Sequence, residues 1–165
     1  MNYQDLQREF NYIFDYNFDP FVCGLMISYI HPTIQVLSEE QFNDLHADMH
    51  SWIHAFHCYA YIWVGGQVIV EAKNRGFITA IQQGVLNLAR MGNAFKFLGL
   101  TMSDELIEVT YDKFKEKDTG ALSLNGFITI CLLFATEQPP RQHLRRSDEC
   151  AILPKWTSKE EAFCE

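Results

Sequence analysis

The stretch MSDELIEVTYDKFKEKDTGALSLNGFITICLLF, residues 102–134, sets the reading of the whole chain. Ser103 is a helix N-cap with Asp104 and Glu105 in the first turn, and Ile107, Tyr111 and Phe114 follow at helical spacing. Asp118-Thr119-Gly120 is a turn, Ala121-Leu122-Ser123 is extended, and Phe127, Ile130, Cys131 and Phe134 form the apolar face of a second helix. Helix, tight loop, short extended segment, helix is thus the unit from which the rest is read.

Upstream, Leu6, Phe10, Ile13 and Phe14 predict a first helix, and Val22, Leu25, Met26 and Tyr29 predict a second after Pro20. Pro32 ends the second. Ser38 caps a long helix through about Trp63, on which Phe42, Leu45, Met49, Trp52, Ile53, Phe56 and Tyr59 step by three or four. Gly65-Gly66 breaks it, residues 67–70 read as a short strand or apolar linker, and a helix is expected over about Ala80–Met91. Laid over one another, three units place twelve-residue loops at 30–41, 71–82 and 115–126, with Gln35, Gly76 and Gly120 sixth and Leu37, Ile78 and Leu122 eighth. The fold expected is all-α, with short paired strands at Val36-Leu37, Phe77-Ile78 and Leu122-Ser123. Residues 1–138 form the domain, and the polar tail 139–165 is expected to be partly disordered.

Composition bounds the partners. The 165 residues carry 13 Lys plus Arg against 21 Asp plus Glu, a net charge of -8, which repels phosphate backbones and anionic lipid. No apolar run approaches a membrane-spanning length, so neither nucleic acid nor an integral membrane segment is expected. The polar start MNYQDLQREF and five cysteines without a CxxC pair predict a cytoplasmic protein with reduced, buried thiols.

The chain resembles the penta-EF-hand family. DLQREF is similar to the exit helix of that family's first hand, FDPFVCGLMISYI to the entering helix of the second, and EEQFNDLHADMHSWIHAF to the long helix linking the second and third. RGFI, ARMG and MSDELIEVTYDKF resemble the third loop, its exit and the fourth entering helix, and GALSLNGFITICLLF the fourth loop and exit. The resemblance spans about residues 5–137; it lacks the first loop and the fifth hand, and 59–73 and 92–100 are longer than the pattern. It implies a degenerate EF-hand domain, calcium as the family's ligand, and dimerisation through an unpaired hand.

The loop residues do not suit calcium, which needs carboxylates at the first, third, fifth and twelfth places. Those places hold Ile30, Pro32, Ile34 and Gln41; Glu71, Lys73, Arg75 and Gln82; Lys115, Lys117, Thr119 and Gly126. Glu71 and Gln82 are the remaining candidate ligands, and no cofactor is expected. The alternative metal site is a row on one helix stripe, His46, His50 and His54 with His57, whose i, i+4 spacing suits zinc or copper. HADMH has zinc-protease spacing but Ala47 replaces the general-base glutamate, so no enzyme is expected. The function read is therefore an adaptor or regulatory subunit that binds a protein partner, or forms a homo- or heterodimer, through Trp52, Phe56, Phe127, Ile130 and Phe134. A diverged copy without retained activity is the remaining alternative.

Overall fold

A computed structural model describes residues 1–33, 36–64, 67–76 and 82–135. Helix α1 spans Tyr3–Phe14, α2 Pro20–Ile30 and α3 Glu39–Tyr59, each opened by a capping side chain: Asn2, Asp19 and Ser38. Ser38 and Gln41 form a reciprocal capping box, which fixes the start of α3 where the sequence placed it. Strands β1 (Tyr61–Val64) and β2 (Gln67–Glu71) form a hairpin, and a 3-10 turn covers Ala72–Asn74. Strand β3 (Gly84–Val85) leads into α4 (Leu88–Phe97), followed by α5 (Asp104–Phe114) and α6 (Leu124–Ala135).

The described residues are mostly helical and carry one small antiparallel sheet in the order β2-β1-β3. The mostly helical character agrees with the expectation, and the three-stranded sheet adds to the short strands expected. Helix α3 stops at Tyr59, short of Trp63, because Ala60 turns to extended backbone (ψ 160°) while its N–H still bonds the Phe56 carbonyl. Tyr61-Ile62-Trp63-Val64 is aromatic and β-branched, a composition that favours strand, and residues 67–70, read as a short strand or an apolar linker, lie in strand β2. The helix expected over Ala80–Met91 is interrupted by β3 and restarts at Leu88, capped by the Asn87 side chain.

Two of the three expected strand segments, Val36-Leu37 and Leu122-Ser123, fall among the described residues. Leu37 pairs with the chain start, its N–H bonding the Met1 carbonyl at 2.8 Å and its carbonyl accepting from the Met1 ammonium at 3.0 Å. Phe77 and Ile78 lie outside the described residues, as does the tail 139–165. Leu122 bridges Leu86 instead.

One core joins the helices: α1 packs on α2, α2 on α6, α3 on α4 and α6, and α4 on α5. Phe10, Phe18, Phe56, Phe95 and Phe127 are its largest fully buried side chains. Phe127 stacks on Phe95 (centroids 5.0 Å apart) and meets Phe56 at 5.7 Å, so α6 is anchored to α3 and α4 by aromatic contact. No helix among the described residues is long and apolar enough to cross a membrane.

Candidate functional site: two bridged loops and the α3 histidine row

Gly84-Val85-Leu86-Asn87 and Gly120-Ala121-Leu122-Ser123 are the same four-residue phrase used twice. In each, an extended aliphatic residue is followed by a polar residue that starts a helix. The Asn87 side chain accepts from Arg90 N, and Ser123 Oγ accepts from Gly126 N at 3.4 Å. Between the two phrases Leu86 N–H donates to Leu122 O and Leu122 N–H to Leu86 O, both at 2.8 Å. Each leucine is fully buried, so these backbone groups are satisfied without water.

The loop before Leu122 is filled by its own bonds. The Ala121 carbonyl accepts from Glu116 N at 2.8 Å and from the Thr119 hydroxyl at 3.4 Å, and Ser123 Oγ donates to Glu116 Oε1 at 3.0 Å. Gly120, at φ 68°, makes the left-handed turn that lets its N–H reach the Glu116 carbonyl. Gly126, where a terminal carboxylate ligand was sought, has no room for one. A Cβ there would lie 2.7 Å from Leu122 Cδ1 and 3.1 Å from the Phe114 carbonyl oxygen. Replacing a helical glycine by alanine ordinarily stabilises. Here the sign reverses: Gly126→Ala is expected to lower the unfolding free energy by about 1–3 kcal/mol, read from urea midpoints. A midpoint equal to or above that of the parent chain would contradict the close packing.

Glu71, at the start of the second loop, is held by a cation of the chain itself. Arg90 Nη2 and Nη1 bond Glu71 Oε1 and Oε2 at 2.6 and 3.2 Å, and Nη1 also donates to the Tyr59 carbonyl at 3.0 Å. One guanidinium therefore ties α4 to the end of α3 and the end of β2. The Arg90 hydrogen bond holds the Glu71 carboxyl below the usual carboxylate range, against the opposing pull of desolvation. Gln82 is elsewhere, its amide donating to Asp15 Oδ2 at 2.7 Å. The two candidate calcium ligands are thus engaged separately, Glu71 by a cation of the chain itself.

The histidine row lies on α3 as expected, but its rings face different surroundings. His46 packs among Phe14, Phe42 and Phe10 (centroids 5.7, 6.1 and 6.2 Å), and burial, with His50 nearby, lowers its pKa. His50 is exposed. His54 is buried, with Nε2 3.4 Å from Cys58 Sγ, its ring 5.9 Å from Phe97 and 6.5 Å from His57. Burial, then the neighbouring His57 and His50, lowers its pKa to about 4. Among the described residues no three His, Cys, Asp or Glu side chains converge on a point that could hold a metal.

The expected partner anchors are core residues. Phe56, Phe127 and Ile130 are fully buried and Trp52 nearly so, while Phe134 is half-buried against the core. The resemblance implied dimerisation through an unpaired hand, and the unit ending at Phe134 is the last of the three in the sequence. Its Leu122 instead pairs with Leu86. Phe21 (68% exposed), Tyr3, Leu25 and Gly24 line an open groove of about 480 Å³ between α1 and α2.

Cys23 and Cys131 are free and buried, and desolvation pushes Cys23 up to about 12 and Cys131 well above its ordinary value, as for packing atoms. Cys58 lies near the end of α3, its Sγ 3.4 Å from His54 Nε2.

Arg90 and Leu86 are the residues that sequence reasoning passed over, and the similar segments at 84–87 and 120–123 were the available signal. No protein-family model matches this chain, and no curated protein matches it.

Proposed function

We propose that the chain is a degenerate EF-hand-like module of penta-EF-hand type that works as a calcium-independent protein-interaction subunit. The observation that carries this is the reciprocal Leu86–Leu122 bond pair. It ties two helix-flanked loops at equivalent places, as paired EF-hand loops are tied. Counting back from Leu86 as the eighth place moves the middle loop from 71–82 to 79–90, with Gly84 sixth and Arg90 twelfth.

In that register the ligand places hold Thr79, Ile81, Gln83 and Arg90, again with no carboxylate. The Arg90 guanidinium, bonded to Glu71 and Tyr59, supplies the cationic tie that a metal would otherwise supply. In the other loop, internal bonds to Ala121 and the packing of Gly126 take the space of an ion. Both loops are thereby held in one arrangement without calcium, and nothing in them changes when calcium rises.

Affinity capture with the full chain, once in chelator and once in millimolar calcium, tests the reading. The same partner set in both is expected. Partners held only in calcium, or none in either condition, would contradict it. Zinc binding by the histidine row has no supporting geometry, because the rings do not converge.

A further inference from the structure

The β1–β2 hairpin leaves one edge of the sheet open. In the order β2-β1-β3, strand β2 stands at an end, and among the described residues β1 is its one strand neighbour. Gln67, Val68 and Ile69 are exposed along it, Val68 at 54% and Ile69 at 47%. An end strand offers a row of backbone N–H and C=O groups to any strand that comes alongside. Trp63↔Val68 and Val64↔Gln67 are successive antiparallel pairs. Bonded and non-bonded pairs alternate in such a ladder, so one of Gln67 and Val68 turns both its backbone groups to the open edge.

Lysine, proline and bulges are the devices that blunt such an edge. Strand β2 has neither lysine nor proline. It does have a bulge, because Ile69 and Val70 together stand opposite Ile62, between the Tyr61↔Glu71 and Trp63↔Val68 pairs. A bulge bends its strand, so residues 67–69 are the stretch left straight for pairing.

Charge selects the occupant. Between Asp48 and Glu71 the sequence has no Asp, Glu, Lys or Arg. Glu71 itself, at the far end of β2, is bonded by Arg90. Two copies of a chain of net charge -8 repel wherever their acids face each other, so they meet best on a surface without charge. The open edge is such a surface, and it holds no acid that would select a basic partner.

We propose that two copies of the chain pair antiparallel along β2, about a two-fold axis at Val68. Val68 of one copy faces Val68 of the other, and Gln67 lies opposite Ile69. Two three-stranded sheets become one, in the order β3-β1-β2-β2-β1-β3. Glu71 falls beyond the paired stretch, so no acid opposes an acid. The contact uses the same patch on both copies and therefore closes at two. Its small size makes the dimer a weak one.

Sedimentation velocity of the full chain, from micromolar to millimolar concentration, is the test, with Val68→Lys and Phe21→Ser run beside the parent. A monomer–dimer equilibrium is expected. Val68→Lys sets two cations against each other at the axis and is expected to raise the dimer dissociation constant at least about tenfold. Phe21→Ser, in the groove between α1 and α2, is expected to leave it unchanged. A monomer throughout, assemblies beyond two copies, a dimer indifferent to Val68→Lys or one dissociated by Phe21→Ser would each overturn the proposal. Amide hydrogen exchange on the parent chain needs no variant. Exchange at residues 67–69 is expected to slow as concentration rises, and an unchanged rate there would overturn the strand pairing. Added salt screens the repulsion between copies and is expected to tighten the dimer; a dimer that loosens in salt would contradict the uncharged contact.

Discussion

Phe127→Ala is expected to lower the unfolding free energy by about 3–5 kcal/mol, the cost of a large buried aromatic removed from a packed site. Phe127 is fully buried and lies against the rings of Phe95 and Phe56, so its loss would loosen α6 from both α3 and α4. Urea unfolding followed by tryptophan emission measures the effect. The same variant separates a core residue from an interface anchor. An anchor would weaken association and leave the midpoint of the isolated chain nearly unchanged; a core residue lowers the midpoint itself. A midpoint shift worth less than about 1 kcal/mol would contradict the burial assigned to Phe127.

Acid is expected to destabilise the fold through His54. Burial lowers the native imidazole to about 4, below its ordinary value of 6.5, so the unfolded chain takes up the proton first. The His54 contribution is complete above about pH 6.5 and is lost as pH falls through about 4. The loss amounts to about 2 kcal/mol between pH 7 and pH 5 and about 3 kcal/mol when complete. His46 and His57, also lowered by burial, act in the same direction. Urea midpoints at pH 7 and pH 5 for the parent chain and for His54→Gln provide the check. The variant is expected to lose less stability over this interval than the parent, and equal losses would contradict the role given to His54.

The helices were legible because their physics is local. Apolar spacing at Leu6, Phe10 and Phe14 and at Leu45, Met49, Trp52 and Phe56 marks buried faces, and Ser38 and Ser103 cap as read. The end of α3 was not legible from periodicity, since Tyr59, Ile62 and Trp63 continue an apolar pattern that strand and helix share. Only the pairing of β1 with both β2 and β3 decides it, and pairing is a tertiary fact. The register proposed for the middle loop lies eight residues beyond the 71–82 expectation, because Gly76-Phe77-Ile78 and Gly84-Val85-Leu86 both offer a glycine two residues before an aliphatic one. Asn87, a capping residue directly after Leu86 as Ser123 is after Leu122, was the local clue that separated them.

The candidate site was half legible. The absence of carboxylates could be read from the sequence in either register, because the relevant side chains are named by position alone. The Arg90 tie could not, because Arg90 meets Glu71 and Tyr59 only once β2 and α4 are folded together. The burial of Trp52, Phe56, Phe127 and Ile130 was not legible for the same reason: an aromatic helix face looks identical whether its own chain or another covers it.

The central claim is that both loops hold their arrangement without calcium. Isothermal titration of calcium into the full chain tests it most directly. The expected result is no heat beyond dilution up to millimolar calcium, with tryptophan emission unchanged across the titration. A saturable site with micromolar affinity would contradict the claim.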